Sequence, residues 1–320
     1  MGLLFRYGLA VLIGLSCAIA RADEGGVSFW LPGQFGSLAA VPTQAGWSMP
    51  LVYYHTSVDA GGGRNLRVGG NVVAGLDADA NLVFAAPTYT FETPLWGAQA
   101  ATALLIGYGH MTTSADAILT GPRGRTFERK PSDSVTGGSD LYSLNTLKWN
   151  DGVNNYLAYL MAGVPVGAYQ RGRLANIGTH HWSLDAGGGY TYFDKQTGRE
   201  ASAVLGLTYN FVNADTHYQN GMDAHLDWAL SQFINPQIHF GIVGYVYQQI
   251  SADSGSGAVL GSFKSRALAV GPQAGYFFAA ARRQWYVNLK GYYEYDAAHR
   301  PQGWNTWLTL LIPLEPGRAR

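Results

Sequence analysis

WSLDAGGGYTYFDKQTGREASAVLGLTYNF, residues 182–211, alternates at nearly every residue between apolar side chains and small or polar ones. In its first half the apolar and aromatic side chains share one parity, and small or polar side chains occupy the other. A polar turn at 194–199 leads into a second half that alternates in the same way. This period of two predicts a β-hairpin. Its strands, of about ten residues, exceed those of most soluble sheets and match what a tilted strand needs to cross a bilayer.

The composition indicates that part of the protein surface does not face water. Only 13% of the 320 residues are charged, whereas glycine (42 residues) and tyrosine (20 residues) are abundant. A soluble domain usually carries about 25% charged residues. The 21 basic and 21 acidic side chains cancel, which argues against nucleic acid as a partner, because a nucleic-acid site needs a basic face.

The first 22 residues have the pattern of a secretory signal peptide. Arg6 supplies the positive charge, residues 7–20 the apolar run, and A-R-A at 20–22 a cleavage site, so the mature chain is expected to start at Asp23. A short membrane anchor is the alternative, but this run is too short to span a bilayer as a helix. No later stretch is long and apolar enough for a transmembrane helix. An exported protein whose membrane segments are strands is therefore predicted.

The mature chain divides into three parts. Residues 23–42 are apolar, rich in glycine and proline and without alternation, which predicts a folded segment in or under the lumen and a possible plug. Residues 43–314 hold 12 to 13 alternating stretches, and 315–320 form a C-terminal tail. Single-chain bacterial barrels take even strand numbers. We predict an all-β fold, a transmembrane antiparallel up-and-down β-barrel of 12 strands, with 14 as the alternative.

The first half of the barrel shows where the boundaries are expected. We predict strands at Gly46–Asp59, 66–76 and 81–91, a tight turn at 77–80, and a long outer loop at 114–138. The basic cluster in this loop is a candidate contact for lipopolysaccharide, and a merely solvated loop is the alternative. A 12-stranded barrel has a backbone diameter of roughly 24 Å, so its lumen suits one small molecule.

Polar side chains on the inward parity are the candidate lumen-facing and solute-facing residues. They are Asp223, His225, Asp227, Gln273, Lys290 and Glu294. Two carboxylates flanking a histidine at i, i+2 and i+4 could bind a metal or support general-base catalysis, although a polar wall patch is the simpler interpretation. Lys290 and Glu294 share one strand face and could pair electrostatically. No HExxH, CxxC, GxSxG or P-loop pattern occurs, so no catalytic, metal-binding or cofactor-binding residue is predicted.

Nine short motifs, spread over nearly the whole mature chain, carry a family resemblance. They are WLPG (30–33), FGSLAA (35–40), GSDLY (138–142), YQNG (218–221), DAHLD (223–227), GYVYQQ (244–249), DSG (253–255), GPQAGY (271–276) and RPQGW (300–304). In this order they resemble the family named for the MetA pathway of phenol degradation. That family comprises bacterial outer-membrane, transporter-like proteins found with catabolic genes for aromatic compounds. The resemblance implies a barrel that moves hydrophobic or aromatic compounds, and it brings no catalytic residues.

The sequence therefore predicts a channel of the bacterial outer membrane for passive uptake of small hydrophobic or aromatic compounds. Its expected partners are outer-membrane lipid, lipopolysaccharide and the solutes themselves, with no cofactor and no enzymatic activity. Transport is expected to be passive because no motif binds a nucleotide. Two alternatives are an outer-membrane enzyme using His225 and Asp227, and a structural or adhesive barrel that acts through its loops.

Overall fold

The computed structural model describes residues 28–60, 65–68, 71–120, 128–258 and 264–314. The predicted signal peptide and the tail at 315–320 lie outside these residues. Within the described ranges no helix is long and apolar enough to cross a membrane. The strands are β1 (Gly46–Asp59), β2 (Asn65–Val68), β3 (Asn71–Ala74), β4 (Asp77–Ala85), β5 (Thr88–Thr90), β6 (Gln99–Ser114), β7 (Ala117–Thr120), β8 (Glu128–Arg129), β9 (Ser132–Asp151), β10 (Asn154–Val164), β11 (Ser183–Asp194), β12 (Arg199–Asn210), β13 (Asp223–Phe233), β14 (Ile238–Gln249), β15 (Arg266–Ala280), β16 (Arg283–Ala298) and β17 (Gln302–Pro313).

Thirteen of these strands form one closed antiparallel barrel, and they fill twelve positions around its wall. Each wall strand pairs with the next along the chain, and β17 returns to pair with β1, from Ser48 opposite Pro313 to Asp59 opposite Gln302. β4 and β5 share one position between β1 and β6. The break between them contains Pro87, which has no N–H to donate to the ladder. The prediction of 12 strands is confirmed, and the alternative of 14 is wrong.

The hairpin predicted at residues 182–211 shows how the alternation separates the two faces of the wall. β11 and β12 pair from Ser183 opposite Asn210 to Asp194 opposite Arg199. Leu205 is 59% exposed on the outer face, whereas Thr208 is fully buried on the inner face. Large apolar side chains are exposed on the outside of the other wall strands as well. An apolar exterior on a closed barrel suits hydrocarbon, and the protein is a barrel of the bacterial outer membrane.

The two ends of the barrel differ in the length of their connections. Those at one end are the shorter ones: residues 91–98, 152–153, 195–198, 234–237 and 281–282. Several at the other end are long: residues 165–182, 211–222 and 250–265. Outer-membrane barrels place short turns in the periplasm and long loops outside the cell. This rule orients the barrel, with β1 starting and β17 ending on the periplasmic side.

The structure corrects the boundaries expected in the first half of the barrel, before residue 182. The strand expected at 66–76 is wrong, because β2 and β3 belong to a separate four-stranded sheet with β7 and β8. The expected tight turn at 77–80 is the start of β4, where Asp77 and Asp79 are exposed on the outside. At the extracellular end of a strand these carboxylates are not forced into hydrocarbon. The outer loop expected at 114–138 is partly wrong, since β9 begins at Ser132, and residues 121–127 lie outside the described residues.

Candidate functional site in the barrel lumen

The lumen contains the N-terminal segment, residues 28–42. Its Trp30 is buried and packs in one apolar cluster with Tyr159 of β10. The chain then descends to the periplasmic end, where the Thr43 N–H donates to the Gln99 side chain at 2.7 Å. The segment therefore runs along the lumen from the middle of the barrel to the start of β1.

Two oppositely charged side chains of the wall bind the backbone of one turn of this segment. The Asp227 carboxylate accepts the N–H groups of Gly33 (2.9 Å) and Phe35 (3.0 Å). Lys290 Nζ donates to the carbonyls of Gly33 (2.5 Å), Phe35 (3.2 Å) and Gln34 (3.3 Å). Both side chains are buried, where hydrogen bonds to charged groups are strong. Asp227 and Lys290 thus act together as a clamp on residues 33–35.

A second polar contact holds the segment nearer the periplasm. Glu200 accepts the Leu38 N–H (3.0 Å) and the Ser37 hydroxyl (2.7 Å). The Gln273 amide donates to the Ser37 hydroxyl (2.7 Å) and to that of Ser231 (2.8 Å). Leu38 has a left-handed backbone with φ of 64°, a conformation that L-residues avoid. The wall therefore fixes the path of the segment as well as its position.

His225 lies in a buried hydrogen-bonded group under the segment. Its Nε2 is 2.8 Å from a carboxylate oxygen of Asp185, so this nitrogen carries the hydrogen. The Tyr159 hydroxyl donates to the other oxygen of the same carboxylate at 2.6 Å, and the Thr208 hydroxyl donates to the oxygen that His225 contacts. The Trp30 ring stacks on the imidazole at 3.7 Å between centroids, with 15° between the planes. The imidazole is thus covered on one face and engaged at one nitrogen.

The remaining predicted residues have partners of their own. Asp223 accepts a hydrogen bond from the Asn210 amide at 2.9 Å. Glu294 accepts from the Tyr245 hydroxyl (2.7 Å) and the Gly303 N–H (3.0 Å). The lysine and glutamate of β16, which were expected to pair, therefore bind different groups. In the part of the chain that the structure describes, no group of three or more His, Cys, Asp or Glu side chains is placed to hold a metal ion.

Three side chains of this site were not among the candidates taken from the sequence. They are Tyr159, Asp185 and Glu200. Asp185 and Glu200 stand on the inward parity of the opening hairpin, so the alternation itself contained the signal. A single strand cannot reveal that its histidine pairs with a carboxylate two strands away, which explains why Asp185 was missed.

Extracellular loops tie the upper end of the barrel together. Asp253, in the loop after β14, accepts hydrogen bonds from Tyr218 (2.6 Å), Gln249 (2.6 Å) and the Gly221 N–H (3.1 Å). Burial raises the pKa of the Asp253 carboxyl, and these donors act in the opposite direction. The loop after β10 contributes Ile177, which is buried in the core cluster of the lumen.

The inner wall has a polar side and an apolar side. The polar side is formed by β11–β16 and contains the contacts to the N-terminal segment described above. The apolar side is formed by β1, β4 and β6. Their inward side chains include Tyr54, Ala78, Ala80, Leu82, Phe84 and Met111, beside the buried Thr113. An apolar stripe of this kind differs from the polar interior of a water-filled porin.

Comparison with known families gives one match that covers most of the chain. A family model described as "Putative MetA-pathway of phenol degradation" matches residues 62–310. No curated protein matches.

Among solved structures, the barrel is similar to an outer membrane channel from Pseudomonas putida F1. That likeness has a TM-score of 0.66 at 15% sequence identity and covers 88% of this chain and 99% of that one. A Pseudomonas aeruginosa FadL homologue aligns with a TM-score of 0.37 at 8% identity, covering 83% of this chain and 88% of that one. The first likeness supports the barrel fold, and the second is too weak to add to it.

Proposed function

Because the chain belongs to the family of the MetA pathway of phenol degradation, we propose that it is a channel for passive uptake of small hydrophobic or aromatic compounds. The outer-membrane barrel supplies the route across the membrane. Passive transport is proposed because the outer membrane holds no ATP and the sequence contains no nucleotide-binding motif.

The observation that carries this proposal is the apolar stripe along the inner wall. β4 alone turns Ala78, Ala80, Leu82 and Phe84 inward, and Met111 of β6 continues the surface. The alanine, leucine, phenylalanine and methionine side chains of this stripe offer nothing in exchange for the hydration shell of a sugar or an ion. It does favour an aromatic ring, which leaves water when it contacts apolar side chains.

We further propose that the N-terminal segment is a plug. Its turn at 33–35 is clamped between Asp227 and Lys290, and Glu200 holds Leu38 below it. With this segment in place, a solute in the upper lumen has to wait for the segment to move. These hydrogen bonds and the packing of Trp30 against Tyr159 are non-covalent contacts to one short piece of chain, which is why we propose that the segment can leave without unfolding the wall.

The arrangement of His225 argues against the enzyme alternative. A general base must reach its substrate with a free ring nitrogen. Nε2 of His225 is bound to Asp185, Trp30 covers one face of the ring, and Nδ1 is buried where no solvent reaches it. Asp227, the second residue of that hypothesis, binds the segment instead. We therefore propose a channel without catalytic residues and without a cofactor.

The test is influx into liposomes that contain the refolded mature protein. The two solutes are 4-hydroxybenzamide, a neutral single-ring compound with polar groups that slow its passage through bare lipid, and xylose, a sugar of similar size. Protein-free liposomes give the background. We expect faster entry of the aromatic solute. Equal rates would contradict selective uptake and indicate a general pore.

A further inference from the structure

The polar side of the lumen carries an excess of negative side chains. On β11–β16, which the structure describes in full, the buried side chains with a formal charge are five carboxylates and one ammonium group. They are Asp185, Glu200, Asp223, Asp227, Glu294 and Lys290. The inward side chains of β1, β4 and β6, which are also fully described, are uncharged. Buried charges are usually paired with opposite ones, so four unbalanced carboxylates on one side of a lumen call for an explanation.

These carboxylates follow the lumen from one end to the other. Asp223 is the first residue of β13, at the extracellular end, and Asp227 lies further down the same strand. Glu294 lies near the extracellular end of β16. Glu200 is the second residue of β12, at the periplasmic end. A path along β11–β16 therefore meets a carboxylate near its top, in its middle and near its bottom.

The N-terminal segment supplies hydrogen-bond donors to two of these carboxylates. Asp227 accepts the N–H groups of Gly33 and Phe35, and Glu200 accepts the N–H of Leu38. When the segment leaves, both carboxylates lose these donors and face the water that enters the lumen. In water at neutral pH, aspartate and glutamate side chains are ionised. The segment N–H groups therefore stand where water and cations would bind in the released lumen.

Buried acceptor atoms on the same side give a second, independent indication. Gln273 Oε1 has no hydrogen-bond partner among the described residues, and neither has His225 Nδ1. This nitrogen is an acceptor, because Nε2 of the same ring carries the hydrogen that Asp185 accepts. Buried polar atoms normally have a partner. Unsatisfied acceptors attract the ligands that carboxylates attract, namely cations and hydrogen-bond donors.

Two further cations near the ends of the lumen do not cancel the excess. Lys148 of β9 donates to the Val41 carbonyl at 3.2 Å near the periplasmic end. Arg300 follows β16, and its guanidinium is 5.0 Å from the centre of the Tyr247 ring. With both counted, carboxylates still outnumber cations along the lumen. Clefts lined by one sign of charge raise the local concentration of counter-ions by about 10- to 1,000-fold.

We propose that the lumen, once the N-terminal segment has left it, is a cation-selective pore. Small cations pass along the carboxylates of β11–β16, and anions are rejected. Side chains of aspartate and glutamate that line a pore select cations by this electrostatic rule. The inference rests on the proposed plug, and it adds a charge selectivity that the apolar stripe does not determine.

The experiment measures the reversal potential of single proteins in a planar lipid bilayer under a KCl gradient. Gly33→Val releases the segment without altering any charge of the wall, because Gly33 has a φ of 88° and its added Cβ would lie 2.8 Å from the Tyr292 ring. We expect potassium to permeate at least about tenfold more readily than chloride. A permeability ratio near one, or a preference for chloride, would overturn the proposal. If Gly33→Val does not fold, the reversal potential of wild-type openings gives the same ratio.

Matched charge variants in the Gly33→Val protein test whether the lumen carboxylates cause the selectivity. Glu294→Gln removes one of the four excess charges and should lower the permeability ratio roughly twofold, if its logarithm follows the net charge. Asp296→Asn, on the same strand, is the control, because Asp296 is 41% exposed and pairs with Arg266. The control should leave the ratio unchanged. An equal effect of the two substitutions, or none from either, would overturn the assignment to the lumen carboxylates.

The outcomes separate this inference from the proposed function. If Gly33→Val conducts potassium and chloride equally, the plug stands and cation selectivity is overturned. If the pore selects cations while liposomes take up 4-hydroxybenzamide and xylose equally, the cation pore stands and selective aromatic uptake is contradicted. If neither Gly33→Val nor the wild type conducts, the plug is contradicted and the cation pore with it.

Discussion

Replacing Asp227 by asparagine should loosen the proposed plug. The carboxylate accepts two segment N–H groups, at 2.9 and 3.0 Å. An asparagine side chain has one acceptor oxygen, and its NH₂ group would face the other N–H. The variant therefore loses at least one hydrogen bond to a charged group, which contributes about 1.5–3 kcal/mol. Because each 1.4 kcal/mol is tenfold, the released fraction of the segment should rise roughly 10- to 150-fold.

The assay is ionic current through single proteins in a planar lipid bilayer. When the segment leaves, the polar side of the lumen on β11–β16 becomes open to water and ions, so Asp227→Asn should raise the fraction of time spent in conducting states. The matched control is Asp223→Asn, on the same face of the same strand, because the Asp223 carboxylate accepts a hydrogen bond from the Asn210 amide of the wall. Currents as rare as in the wild type, or an equal increase in the control, would refute the argument that the clamp at residues 33–35 holds the plug.

The other substitutions test the faces of the wall and the second half of the clamp. Leu205→Arg should destabilise the barrel by about 2–4 kcal/mol, the cost of arginine in hydrocarbon, whereas Ser134→Arg at the extracellular end of β9 should be near neutral. Urea unfolding in liposomes measures both free energies. Equal stability of the two variants would contradict the assignment of Leu205 to the lipid face. Gly206→Ala should reduce the yield of folded barrel, because its Cβ would overlap the Tyr159 and His225 side chains, while Gly291→Ala enters open space; migration on SDS gels without heating reports the folded fraction, and similar yields would contradict this. Lys290→Met should raise the bilayer current as the Asp227 variant does, since it removes the donor to three segment carbonyls. A current no higher than that of the wild type would contradict the clamp.

The alternation predicted the wall well because lipid and lumen impose opposite demands on successive residues. Leu205 has to face hydrocarbon and Thr208 cannot, so the hairpin could be assigned from the sequence. The same rule failed where strands extend beyond the membrane. Asp77 and Asp79 occupy outward positions of β4 that face water. Because outward residues of a wall strand are expected to be apolar, these two residues were predicted to form a turn. The prediction of one strand at 66–76 failed for the same reason, because the small sheet that contains β2 and β3 lies outside the wall and has no lipid face.

The site was predicted in part because inward polar residues are visible in a sequence but their partners are not. Asp227 and Lys290 were both identified, yet nothing indicated that they share one turn of the segment 194 and 257 residues before them. The partner of His225 depends on glycines. Gly206 stands opposite His225, and Gly187 stands opposite Gly206. The missing side chains leave room for the imidazole to reach Asp185 across β12.

The division of the lumen into two sides bears on how the proposed plug is held. Leu31 and Pro32 line a small cavity together with Leu82 of the apolar side, and the next residue, Gly33, is held by Asp227 and Lys290. Burying two charges costs solvation that well-packed apolar side chains would not lose, so stability alone does not explain the clamp. Its value is position: an apolar segment against an apolar stripe could slide, whereas a carboxylate and an ammonium bound to the same turn permit one register. That register places residues 31–32 below the cavity, which is the position in which the proposed plug would close the route to the periplasm.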